Sequence, residues 1–308
     1  MNRTREDFCR ALLEDYPCEA LDPERLATRF VRYFEVPARP TIEQLKALLK
    51  RTGFGEVSGT RHIDAKGIHF SAPGGGYDIH YREDLWEGTR DYSVVHETYE
   101  IIHETLCDMH SGSQPDRDVC TQAERFAAAV LMQPRAFEPL ALEWGLDVLR
   151  LHKAFRCSYA AVTIRLAEVL RQPPLMAILY ARPDGRNPRD RADHSDLRAI
   201  VVRRTRGFGT PRGFPICGDR GGIPRRGRLI PDGSLAEQAA RYGTARYAQD
   251  GGYAAIARPV IRKGELARVV VIAVPESFSA VLGPQMVASD MPGRRRRPMP
   301  AMAAVGPW

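Results

Sequence analysis

An α+β fold is predicted by three observations. Helical periodicity dominates residues 1–174, interrupted by one alternating stretch around a glycine-rich turn. Beyond residue 175 the pattern changes to apolar runs of strand length. With 44% hydrophobic residues among 308, the chain can bury more than one core.

Two helices are expected before the first sheet. One lies within 23–53, with Leu26, Phe30, Tyr33 and Phe34 on one face; the second, "TIEQLKALLKRTG", opens at Thr41 and closes at Gly53. "GIHFSAPGGGYDIHYRED" alternates on both sides of Gly74 to Gly76 and reads as a β-hairpin. "RDYSVVHETYEIIHETLCDMH" returns to helical spacing through Val94, Val95, Ile101, Ile102 and Leu106, "SGSQPDRD" breaks it, and "VCTQAERFAAAVLMQP" is a further helix stopped by Pro134. Short helices run on to "RQPP". The strands "LMAILYAR", "LRAIVVRR", "YAAIARPVIR" and "LARVVVIAV" follow, with one helix, "SLAEQAARYG", among them. Lys263-Gly264-Glu265 marks a hairpin turn, so the sheet is expected to be antiparallel. The end of the chain, rich in Pro, Arg, Met and Ala without periodicity, reads as disordered.

Charge is unevenly placed. The net of +7 arises from residues 182–228, with 13 Arg against 5 Asp, and from "RRRR" at 294–297; the remainder is mildly acidic. Only five of the 45 basic residues are Lys, a skew that GC-rich coding explains more simply than selection for phosphate contacts. The first residues carry charges throughout and lack a secretion signal, and no stretch of about 18 apolar residues occurs, so a cytoplasmic protein with no membrane partner is expected. The six cysteines form no C-x-x-C pair and suit reduced thiols.

The chemistry concentrates in "DYSVVHETYEIIHETL". His96 and Glu97 are adjacent and Glu100 stands four positions after His96, where the H-E-x-x-H pattern has its second histidine. Residues four apart on a helix share a face about 6 Å apart, so His96 and Glu100 can converge on one cation. A catalytic zinc takes three protein ligands, and Glu124 is the expected third: the next turn of its helix is Ala127-Ala128-Ala129, whose small side chains permit close helix approach. Glu97 is the expected general base. His103 lies seven residues from His96, about 10.5 Å along the axis, too far to share the ion, and is expected to be a partly exposed helix histidine. The shifted frame from His103 to Cys107 also sets two ligand types four apart; Asp108 and His110 read as solvated.

These blocks resemble the ImmA/IrrE metallopeptidases, zincin-like proteins found beside bacterial and phage repressors. "YSVVHETYEII" is similar to the family's motif helix, "ERFAAAVLMQP" to its downstream glutamate helix, and "LHKAFRCSYAAVTIRLAEVL" to the helical segment that follows; with the upstream helices the resemblance covers about the first 170 residues. It implies that His96 and Glu124 are metal ligands and Glu97 the base, with Glu100 at the second-histidine position. It also implies a zincin-like metallopeptidase domain at 1–134, a helix-turn-helix-like segment at 135–174 and, as in some relatives, a GAF-like α/β sensor domain at 175–282, before a basic tail at 283–308. The partner it implies is a helix-turn-helix repressor, cleaved in a stress or mobile-element response. One histidine and two glutamates make the ligand set more anionic, which lowers the Lewis acidity of the ion and favours Mn²⁺ over Zn²⁺.

Two other classes remain open. The zincin shell can serve as a non-enzymatic binding or sensor regulator, with Glu100 marking lost activity, or the chain can be a DNA-binding regulator. For the latter, "LHKAFRCSYAAVTIRL" resembles a helix-turn-helix with Ala154, Phe155 and Val162 in its core and Arg165 exposed, although packing against the motif unit is its expected role. The stretch "GDRGGIPRRGR" reads as a mobile basic loop whose Arg225, Arg226 and Arg228 would meet an anion or nucleic acid.

Overall fold

The computed structural model describes residues 3–15, 22–73, 76–109, 118–182, 196–219 and 223–288. The chain forms two compact units, one comprising residues 1–137 and 153–158, the other 138–152 and 159–308.

The first unit begins with three helices, α1 (Arg5–Asp15), α2 (Pro23–Phe34) and α3 (Ile42–Arg51), one more than the periodicity alone announced. Pro23 starts α2, where its missing N–H costs nothing, and Glu35 ends it in the left-handed region. Thr41 and Gln44 form a reciprocal capping box on α3. A three-stranded sheet follows, β1 (Gly55–Thr60), β2 (Gly67–Ser71) and β3 (Tyr77–Arg82), in the order β1-β3-β2. The expected hairpin is the antiparallel β2–β3 pair, although Gly74 and Gly75 of its turn lie outside the described residues; β1, which has no alternating signature, runs parallel to β3.

The long helix α4 (Glu87–Met109) packs on β2 and β3 and beside α5 (Val119–Leu131). Its side chains Val94, Val95, Ile101 and Ile102 are buried at helical spacing, and α5 contributes Ala123, Phe126, Ala127 and Val130. Phe30 of α2 sits at the hub of an aromatic cluster, with ring centroids 5.1 Å from Phe34, 5.4 Å from Phe126, 5.8 Å from Phe54 and 6.1 Å from Phe8. This core holds α4 and α5 together.

The second unit is built on a five-stranded antiparallel sheet in the order β5-β4-β8-β7-β6, from β4 (Met176–Ala181), β5 (Arg198–Arg204), β6 (Arg246–Asp250), β7 (Tyr253–Arg262) and β8 (Glu265–Pro275). Every residue of β4 is buried, as its unbroken apolar run requires of an inner strand. Lys263 and Gly264 join β7 to β8 with φ of 52° and 85°, the positive pair that a tight two-residue hairpin needs. Helix α9 (Leu235–Tyr242), capped by Ser234 and closed by Gly243, packs its alanines onto β7 and β8.

The helical segment departs from expectation. It comprises α6 (Pro134–Glu143), α7 (Val148–Phe155) and α8 (Tyr159–Val169); residues 153–158 belong to the first unit, while α8 packs on β4 and β5 of the second. Arg165, expected on the surface, is 1% exposed. Helical spacing puts it on the face of Val162 and Leu166, which the sheet covers, and its guanidinium reaches Glu168 at 3.6 Å. A groove-reading helix would present that arginine outward. At the C-terminal end, Gly283–Ala288, within the segment expected to lack structure, forms the short helix α10; residues 289–308 lie outside the described ones.

Candidate metal centre

The acidic stripe of α4 faces β2. Gly67 and His69, two apart on β2, point to the same side. At Gly67 a Cβ would lie 3.0 Å from Glu97 Oε1 and 3.1 Å from Ser93 Cβ, so the missing side chain is what lets the strand approach the helix. One step along, His69 is thereby carried into the carboxylates. Its Nδ1 lies 2.7 Å from Glu97 Oε2 and 3.9 Å from Glu100 Oε2, and its Nε2 lies 3.0 Å from Glu104 Oε1.

His96 approaches the same two carboxylates from the other side, its Nδ1 3.7 Å from Glu97 Oε1 and 3.8 Å from Glu100 Oε1. Two imidazoles therefore flank Glu97 and Glu100. Among the described residues, His69, Glu97 and Glu100 form a group whose ligand atoms all lie within 4.8 Å of one another; His96, Glu100 and Glu124 are not drawn together to that degree. Glu124 stands on α5, one turn after Cys120, close enough for its charge to act on His96. Cys120 Sγ lies 3.6 Å from His96 Nε2. The Tyr92 hydroxyl donates to the Glu124 carbonyl at 2.7 Å, and the Tyr99 hydroxyl to Gln122 Oε1 at 2.5 Å, tying α5 to α4.

Electrostatics in this cluster are strongly coupled. Burial works against a charged His69, yet its hydrogen bonds to Glu97 and Glu104 push its pKa up to about 9. Burial likewise opposes protonation of His96, but Glu97, Glu100 and Glu124 together raise it above the ordinary imidazole value. Glu97 pays for burial too, and the two imidazoles still hold it below the usual carboxylate range. Glu100 is raised, by burial first and by the neighbouring Glu97 charge second. The result is a partly buried site with a surplus of carboxylates, a setting that receives a cation.

The other sequence candidates are placed as follows. His103 is half-buried, its ring stacked on Tyr99 at 6.4 Å and its Nδ1 3.8 Å from Cys107 Sγ; Asp108 is exposed, and His110 lies outside the described residues. Arg225, Arg226 and Arg228 are exposed in the second unit, and the described end of their stretch is fastened to β5: Ala199 N donates to the Arg228 carbonyl and Gly227 N to the Ala199 carbonyl, both at 2.8 Å. Sequence reasoning missed His69 and Cys120. For His69 a signal existed, in a histidine two residues after a strand glycine, but nothing local says which helix the strand will meet.

The stretch that carries this site is similar to a metallopeptidase family. Residues 56–167, which include His69, His96, Glu97, Glu100 and Glu124, match the model of the family described as the IrrE N-terminal-like domain (peptidase M78). A solved transcriptional regulator from Mycobacterium tuberculosis shares the fold, with a TM-score of 0.57 at 16% identity over 94% of this chain and 87% of that one. No curated protein sequence matches the chain. Among the described residues no helix is long and apolar enough to cross a membrane.

Proposed function

We propose that the protein is a metal-dependent regulatory peptidase that cleaves a helix-turn-helix transcriptional repressor as part of a stress or mobile-element response. The observation that carries this reading is the convergence of imidazole and carboxylate groups where α4 faces β2, within the residues that match a metallopeptidase family. The donor chemistry fits a divalent cation, Zn²⁺ or Mn²⁺, because the site offers neutral nitrogen and anionic oxygen in a partly buried setting with excess negative charge. His96 and Glu100 on α4, with Glu124 from α5, would hold it. When bound, such an ion polarises a peptide carbonyl and acidifies a water.

Glu97 would accept the proton of that water. Its Oε2 takes the hydrogen bond from His69, which orients the carboxylate, while Oε1 lies 3.7 Å from His96 Nδ1. The second unit is read as a sensor-like, GAF-like module, a reading supported by its separate core and its antiparallel sheet.

Two observations favour a second reading, in which the shell is kept as a non-enzymatic regulator: Glu97 already shares a hydrogen bond with His69, which weakens it as a base, and Glu100 replaces an imidazole. Purified protein loaded with Mn²⁺ or Zn²⁺ and mixed with a co-encoded repressor decides between the two. Cutting that is lost in Glu97→Gln, with metal content unchanged, supports the peptidase. Metal binding without cutting of the repressor overturns it in favour of the second reading.

A further inference from the structure

The motif helix lacks the imidazole that a second histidine at position 100 would provide, yet a second imidazole, delivered by β2, stands 3.9 Å from the Glu100 carboxylate. We propose that His69 is a metal ligand that restores this missing nitrogen donor, completing a cation centre with His96 and Glu100. The proposal rests on the cation-binding part of the reading above and adds a residue from outside the motif.

Three features of the geometry carry it. First, the Glu100 carboxylate lies between the two rings, Oε2 3.9 Å from His69 Nδ1 and Oε1 3.8 Å from His96 Nδ1; a cation has room between an imidazole and a carboxylate at that separation, since two bonds of about 2.1 Å span it. Second, the rear nitrogen of His69, Nε2, is held by Glu104 at 3.0 Å. That is the backing a ligating histidine uses: the carboxylate accepts the Nε2 proton and fixes the tautomer, and the ion would take Nδ1 in place of the proton that this nitrogen shares with Glu97 at 2.7 Å in this structure. Third, His69 is anchored before any ion arrives. Its side chain is 10% exposed, its ring packs edge-on against Tyr77 at 5.7 Å, and Gly67 brings the strand close enough for the reach.

With His69 included, the donor set holds two imidazoles and one carboxylate, as in many catalytic zinc sites; His69 and Glu100 already stand with Glu97 within 4.8 Å, and His96 would close in on them from outside that group. His69 also gives the centre a strand ligand, so that ion binding joins the edge of the sheet to α4. Cation occupancy would then alter how firmly β2 is seated, which gives the metal a structural consequence beyond chemistry on a peptide bond.

The test is metal binding by the full-length protein, read by Mn²⁺ titration and by electron spin-echo modulation, which counts the nitrogens bound to the ion. The expected result is two imidazole nitrogens in the parent protein. One nitrogen or none, with Mn²⁺ bound, overturns the proposal and leaves the peptidase reading standing. His69→Ala should weaken affinity by at least about 100-fold, and Glu104→Gln by about 10-fold, as loss of an outer-shell partner does. Unchanged affinity in His69→Ala also overturns it. Should His69→Ala fail to fold, the nitrogen count of the parent still decides. A parent protein that binds neither Mn²⁺ nor Zn²⁺ removes both this proposal and the metal-dependent reading beneath it.

Discussion

Asp147 is where one side chain can be shown to support the second unit. It is 1% exposed, and each of its oxygens has a separate task. Oδ1 accepts from the backbone N–H groups of Leu149 at 2.9 Å and Arg150 at 3.2 Å, capping α7, while Oδ2 accepts from the Arg258 guanidinium of β7. Asp147→Ala removes both. Loss of a cap costs about 1 kcal/mol. Breaking a fully buried pair costs about 3–5 kcal/mol, and because the Arg258 side chain keeps 19% exposure and can regain water, about 2–3 kcal/mol applies here. The alanine variant should therefore lose about 3–4 kcal/mol, which at about 2–4 °C per kcal/mol in a unit of this size lowers Tm by roughly 10 °C. Asp147→Asn keeps an acceptor for the cap and should lose only the ion-pair share. Differential scanning calorimetry of the full chain measures both. An alanine variant melting within about 2 °C of the parent, or no difference between Asn and Ala, would refute this account.

Other expectations concern the first unit. In chelator-treated protein the His69–Glu97 pair stabilises the fold, and its pH window follows from the two shifts. His69 is raised from 6.5 to about 9, so its contribution is complete below pH 6.5 and disappears as pH rises through about 9. Glu97 is lowered, so its share is present above its ordinary 4.5 and goes as pH falls through its lower folded value. Urea midpoints should accordingly drop between pH 6.5 and 9.5, and a drop of the same size in His69→Gln would exclude the pair as its cause. Gly67→Ala should cost about 1–3 kcal/mol, because the added methyl meets Ser93 and Glu97, and should weaken Mn²⁺ binding with it; thermal melts and metal titration matching the parent would contradict the close strand–helix approach.

Element type was legible wherever a periodic pattern ran long. The apolar face of α4, the β2–β3 hairpin, the four strands β4, β5, β7 and β8 and the Ser234-capped α9 could all be read from spacing and punctuation. The elements that escaped are those with weak local signals: α1, β1 with its two glycines, and β6, an edge strand without buried positions. That His96 and Glu100 share a helix face was legible for the same reason, since an i,i+4 pair on a helix faces one way whatever else the chain does.

What the amino-acid order determined by itself was this local geometry, together with the carboxylate surplus on α4 and the absence of a second histidine at position 100. Only the tertiary structure decided which groups answer that surplus. His69 meets Glu97 and Glu104 because β2 is the edge strand beside α4 and Gly67 leaves it room. Arg165 is buried because the sheet of the second unit covers α8. Both outcomes depend on contacts between segments distant in sequence, where pleat, strand order and the volume of single side chains select the neighbour, and no periodicity within either segment carries that information.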